Sequence, residues 1–271
     1  MVPLRLPAPS ATAIAGEENH SANEMQANMM PNTLASGLLA LLLAFPLAAP
    51  GIAWGQSSAA PPAPLSPAQI ALFETPHLQN IDHPETLLYH FVRQGPDGFA
   101  DQVGEQIKLI HPDGGKYVMF NFLSGPRHVF YPALDGFHGN PLVMVFLEHD
   151  VNEMRDATGI AAAYYRNHIR AAFIDKASVS PVSVTLAGRT IAAREITLRP
   201  FTDDERLTHL PQIRGKTYRF VVSPEVPGGV YEMAAEEAAD PASGAPACSE
   251  TMTFDKTEAT PAIAPAGEAK P

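Results

Sequence analysis

The chain has 271 residues, 45% of them hydrophobic and 17% charged, with 29 Asp+Glu against 18 Lys+Arg for a formal net charge of -11. That is apolar material for one ordinary core, or two small ones, and excludes a wholly disordered chain. The acidic balance excludes the basic face of a nucleic-acid protein. A single cysteine, Cys248, excludes an intramolecular disulfide framework and any four-cysteine metal site.

The first distinctive stretch is Leu34 to Pro50, LASGLLALLLAFPLAAP, seventeen residues without a charge. It is short for a membrane span, holds Pro46 and Pro50, and is followed by small residues. With Ala53 and Gly55 at the positions that a signal peptidase reads, it predicts a signal peptide cleaved before Gln56. The competing reading is an uncleaved membrane anchor. No Lys or Arg lies between Arg5 and Arg93, so the basic leader segment is missing. Met29 or Met30 is therefore a candidate true start, which makes residues 1–28 an upstream extension and 29–55 the signal. Export to a periplasm follows, with no stable membrane span after cleavage.

Residues 56–67, QSSAAPPAPLSP, read as a Pro/Ala/Ser linker, and an α+β domain is expected over 68–237. Ser66-Pro67 opens a short helix with Ile70 and Phe73 paired three apart. Strands follow by period-two alternation: Thr86–Arg93, Val103–His111 and, after the Asp113-Gly114 turn, Lys116–Leu123, then Arg127–Pro132. Leu142–Leu147, LVMVFL, is apolar on both faces and reads as a central buried strand. The one long helix is placed at Ala161–Ala177, capped by Thr158, with Tyr165, Ile169, Ala172, Phe173 and Lys176 on one side. Val182–Leu186, Thr190–Leu198, Lys216–Ser223 and Val230–Ala235 resume the hairpins. Residues 238–271 read as a largely mobile tail with one strand candidate, Glu250–Phe254. Eight or nine strands joined by hairpins predict a strongly curved, mostly antiparallel sheet, an incomplete barrel, packed on that helix.

Chemistry-bearing patterns are few. There is no HExxH, no GxSxG and no glycine-rich phosphate loop, so no cofactor is expected and an enzyme is the least favoured class. The densest group is Glu148-His149-Asp150 with Glu153. His149, Glu148 and Asp150 are candidate metal ligands, but on a strand neighbours point to opposite faces, and a distant ligand such as His128 or His138 would be needed. On the long helix Arg166 and Arg170 share a face beside Asn167, a candidate surface for an anion or an acidic partner. The plainer reading of these arginines is ion pairs with Asp150, Glu153 or Asp156. Cys248 reads as an incidental thiol, with nothing basic near it in sequence.

The order of elements (an exported chain, hairpins from Thr86 to Leu147, a helix near 161–177, then more hairpins) resembles the periplasmic lipoprotein carriers and receptors, whose sheet is an incomplete barrel. FLEHDVNEM and YYRNHIRAAFIDKA are also similar to stretches of exported proteobacterial proteins to which no activity attaches. The resemblance implies a non-enzymatic role with a hydrophobic small molecule or a lipoprotein held in a groove between sheet and helix. The receptor form is lipidated on a cysteine that this chain lacks. The alternatives are an accessory protein acting through a partner-binding surface and, third, a metal-dependent enzyme.

Overall fold

A computed structural model describes residues 64–260. The expected signal segment, its upstream extension and most of the linker lie outside them. Nine strands form one open antiparallel sheet in the order β4-β3-β2-β1-β9-β8-β7-β6-β5. They are β1 Glu85–Gln94, β2 Phe99–Ile110, β3 Lys116–Phe122, β4 Leu134–Phe137, β5 Ser178–Leu186, β6 Arg189–Leu198, β7 Thr217–Val222, β8 Val230–Glu237 and β9 Cys248–Ala259. Hairpin connections generate this order everywhere except at the centre, where the C-terminal strand β9 lies between β1 and β8.

Two long helices separate β4 from β5: α1 Leu142–Thr158 and α2 Ala162–Asp175. The expectation of one long helix, with a strand at Leu142–Leu147, is thus corrected. A six-residue apolar run has no period that separates a buried strand from a buried helix. Here the run continues through Glu148 and His149, and every residue from Leu142 to Val151 is buried. Asn140 Oδ1 accepts from the Leu142 amide at 2.9 Å and Pro141 precedes the first turn. Gly159, at φ +73°, ends α1 with its amide on Arg155 at 2.7 Å. On α2, Tyr165, Ile169, Ala172 and Phe173 are buried as expected, while Lys176 is solvent-facing and pairs with Asp203 at 3.0 Å. Thr158 does not cap α2. Its hydroxyl donates to Met154 O at 2.6 Å and meets the Tyr165 hydroxyl at 2.7 Å.

The remaining differences are local. Ser66 caps a helical turn, accepting from the Gln69 amide at 3.1 Å, but the turn continues as a wide π-type turn over Ile70–Glu74. That rotation buries Ala71 and Leu72, turns Ile70 outward and sets Phe73 edge-on to Phe173 at 5.0 Å. Arg127–Pro132 is not a strand. Gly125–Arg127 forms a 3-10 turn and only a single bridge joins Phe122 to Val129, because Gly125 and Pro126 interrupt the pairing. The strand expected at 250–254 runs over Cys248–Ala259 and is central, so the folded domain includes it.

One face of the sheet and the two helices enclose the core. Leu87, Tyr89 and Phe91 of β1, Val103 and Ile107 of β2, Phe122 of β3, Tyr218, Phe220 and Val222 of β7 and Met252 of β9 all lie in it, with Phe146 of α1 and Phe173 of α2. Phe220 holds Phe146 edge-on at 6.4 Å and Phe173 at 6.0 Å, so both helices meet one ring on the sheet.

Candidate functional site

A helix advances about 100° per residue, so adjacent side chains diverge. Glu148, His149 and Asp150 are consecutive on the buried flank of α1, and each finds a different partner. Glu148 turns to α2, where Arg166 grips it with Nε at 2.9 Å and Nη2 at 2.5 Å. Asp150 turns to the β7 side and accepts from Lys216 Nζ and from the Tyr218 hydroxyl. Lys216 also meets Glu237 of β8 at 2.9 Å. His149 turns to β9 and β1, where Nε2 lies 3.6 Å from Glu250 and 3.7 Å from Glu153, its neighbour one turn on.

Arg93 completes this last group. Its Nη1 donates to Glu153 Oε1 at 2.7 Å and lies 3.0 Å from Glu250 Oε1. Arg93 and Glu250 are direct cross-strand partners on β1 and β9, so the sheet register places them together. The imidazole is wedged between Phe122, at 4.8 Å, and Phe91, at 6.1 Å. Although His149 and Glu250 are buried, His149 Nε2 and both Glu250 oxygens lack a hydrogen bond of good geometry.

Burial and charge work against each other along this seam. Burial alone would lower the His149 pKa, but the Glu250 and Glu153 carboxylates outweigh it and the pKa is raised. Burial would raise Glu250, and the contacts with His149 and Arg93 hold it down instead. Glu153 goes up through burial and the neighbouring Glu250 charge. Desolvation would deprotonate Lys216, yet Asp150 and Glu237 raise its pKa and keep it cationic. Removing this cation while keeping its shape is informative: Lys216→Met leaves Asp150 buried without a counter-charge. We expect a loss of about 3 kcal/mol in urea unfolding, with unchanged far-ultraviolet circular dichroism at neutral pH.

The predicted site residues therefore separate. His149 does converge with carboxylates, but with Glu153 and Glu250, not with Glu148 and Asp150. His128 and His138 are exposed and stand outside the group. Arg166 is engaged by Glu148 instead of Asp150, Glu153 or Asp156, and Arg170 Nη1 donates to Asn167 Oδ1 at 3.2 Å. The anion surface thus loses one of its two guanidinium forks to the interior. Sequence reasoning missed Arg93, Lys216 and Glu250. The available signal was a charged residue in step with inward apolar ones, as Glu250 is with Met252. Burial raises the Cys248 thiol pKa, the wrong direction for a nucleophile.

No protein-family model matches the chain, and no curated protein matches it in sequence. Among solved structures it is similar to the Mycobacterium tuberculosis lipoprotein LppX, with 8% identity and a TM-score of 0.27 over 66% of this chain and 91% of that one. It is also similar to a LolA superfamily protein from Nitrosomonas europaea, with 10% identity and a TM-score of 0.20 over 73% of this chain and 94% of that one. These are weak architectural likenesses. No described helix is long and apolar enough to cross a membrane.

Proposed function

We propose that this is an exported, non-enzymatic carrier that holds a hydrophobic ligand, an acyl chain or the lipid part of a lipoprotein, between the inner face of a curved sheet and helices α1 and α2. The observation that supports it is the way α1 is seated. Its middle, from Glu148 to Glu153, meets the sheet through Asp150–Lys216–Tyr218 and His149–Glu153–Glu250–Arg93, and meets α2 through Glu148–Arg166. Buried ion pairs contribute little net stability relative to apolar packing of the same volume, because their charges regain hydration when exposed. A helix layer held along one flank by such pairs separates from the sheet at lower cost than one held by leucines throughout. The surface it uncovers is the ring-lined one: Tyr89, Phe91, Phe122, Tyr218 and Phe220. That surface suits a ligand that is apolar along its length and needs few polar anchors.

The test is native mass spectrometry of the chain processed before Gln56 and purified from a periplasm. A discrete adduct of lipid mass that disappears on denaturation is the expected result. A clean unliganded mass, from preparations that retain the signal-cleaved chain in folded form, overturns the carrier reading.

A further inference from the structure

The group at His149 has properties that the carrier reading does not use. His149 and Glu153 are four apart on α1 and so stack on one face of the helix. Glu250 reaches the same point from β9. One nitrogen and one oxygen from each carboxylate lie within 4.8 Å of one another. The two edges from His149 Nε2, 3.6 Å to Glu250 and 3.7 Å to Glu153, are near those of a zinc tetrahedron. Zinc–nitrogen and zinc–oxygen bonds of ~2.0–2.2 Å give an edge of roughly 3.4 Å. A contraction of a few tenths of an ångström closes those two edges, and the carboxylate–carboxylate edge, within 4.8 Å, closes by a side-chain rotation of Glu153 on the half-exposed side.

A second observation points the same way. His149 is 8% exposed and Glu250 4%, and the atoms they turn into the group, Nε2 and both carboxylate oxygens, make no hydrogen bond. Buried polar atoms are almost always satisfied, so His149 Nε2 and Glu250 Oε2, turned toward one another without a hydrogen bond, are unusual, while Glu250 Oε1 has only the ionic contact with Arg93 at 3.0 Å. The Tyr131 hydroxyl is also buried and unpartnered, and beyond burial the Glu148, Glu153 and Glu250 charges act on it. Phe91 and Phe122 wall the imidazole off, which is the apolar surround that strengthens ligand–metal contacts.

We infer that His149, Glu153 and Glu250 form a binding site for one divalent transition-metal ion of zinc-like preference. Nitrogen with two carboxylates suits zinc or its first-row neighbours better than calcium, which takes six or more oxygens. With the imidazole neutral, as a metal ligand must be, two carboxylates and one guanidinium leave the group one negative charge in excess, which a divalent cation reverses. Arg93 is the competitor: it draws on Glu153 Oε1 and Glu250 Oε1, so metal and guanidinium share the carboxylates unequally. The bound ion ties α1 directly to the central strand β9, and so clamps the helix layer to the sheet.

The experiment is isothermal titration of the full chain with zinc chloride after dialysis against a chelator. One ion per chain with micromolar or tighter affinity is expected. His149→Gln and Glu250→Gln should each weaken it by ~100-fold or more. Those two side chains are buried, so Glu153→Gln, on the half-exposed side of the group, is the variant that keeps the fold, and it should weaken binding by at least ~10-fold with an unaltered melting curve. Arg93→Met should tighten binding, since it removes the competitor. No saturable uptake overturns the site. So does uptake at full affinity in the Glu153 and His149 variants, which would place the ion on surface pairs such as His83 with Asp82 or His111 with Asp135. None of these readouts involves lipid, so this inference and the carrier reading fail separately.

Discussion

A chain ended after Ala247 is expected not to fold. The sequence places the domain over 68–237 with only a strand candidate at 250–254 beyond it, yet the last strand fills the middle of the sheet. On one side β9 pairs with β1 over ten positions, from Glu85 with Ala259 to Gln94 with Ser249. On the other it pairs with β8 from Glu232 with Thr253 to Glu237 with Cys248. Without it the sheet divides into β4-β3-β2-β1 and β8-β7-β6-β5, with no ladder between them. Both halves would expose new edges, the buried Met252 would leave the core, and Arg93, His149 and Lys216 would lose Glu250. Such losses exceed the stability of an ordinary domain, roughly 5–15 kcal/mol. The measurement is thermal unfolding by circular dichroism together with amide dispersion in two-dimensional NMR. A chain ended after Thr260 should melt cooperatively and the one ended after Ala247 should show no transition. A cooperative melt of the shorter chain would mean that the two half-sheets associate through the helices alone.

Most of the strands were legible because one face of each is buried and the other is not. Alternation placed β1, β3, β6, β7 and β8 within a few residues of their observed ends, and Asp113-Gly114 marked the hairpin between β2 and β3, where Gly114 adopts φ +88°. Three elements escaped for physical reasons. Leu142–Leu147 has no polar face in either period, so its length was the only clue to a helix. Glu250–Phe254 sits between segments rich in Ala, Pro, Glu and Thr, whose composition masked a central strand. At 127–132 a strand was expected, but a glycine at φ +55° followed by a proline turns the chain there. The site was legible only by half. Glu148-His149-Asp150 was visible as a polar group, but whether its members converge or diverge depends on helix or strand geometry, and the strand reading of the run just before it was wrong. The partners lie 60 residues or more from the α1 residues they meet, Arg93 on β1 and Lys216 and Glu250 toward the C-terminus, and no local pattern links them.

Charge is distributed unevenly across the inner face, and this bears on how the helices are held. The buried carboxylates Glu148, Glu250 and Asp150 each have a cation: Arg166, Arg93 and Lys216. On β2, the buried carboxyl of Glu105 has none. Burial therefore governs that carboxyl, with no charge to oppose it.

Raising the pH from 5 to 9 is expected to destabilise the protein by several kcal/mol through Glu105 alone. This residue is fully buried on the inner face of β2, between Val103 and Ile107 and opposite Leu87 of β1. Neither carboxyl oxygen has a hydrogen-bond partner, the Tyr89 hydroxyl beside it has none either, and Asn140 gives its amide to Gly228 O at 2.7 Å. Burial pushes the Glu105 pKa up from 4.5 to about 8, with Asn140 offsetting a little of it. The folded protein therefore keeps this proton to about pH 8, whereas the unfolded chain releases it near 4.5. Between those values the unfolded state binds fewer protons, so stability falls as pH rises. It falls by about 1.4 kcal/mol per pH unit, to a total of roughly 5 kcal/mol above pH 8. Glu105→Gln removes the titration and keeps the shape. Its stability relative to the parent should be near zero at pH 5, and the variant should be the more stable by about 3 kcal/mol at pH 7, with the gap still widening at pH 8. Urea unfolding of both chains across that range measures the difference directly, and parallel curves would show that Glu105 is ionised in the folded protein at neutral pH, held by a counter-charge or a water that the apolar wall of Leu87 and Ile107 does not itself supply.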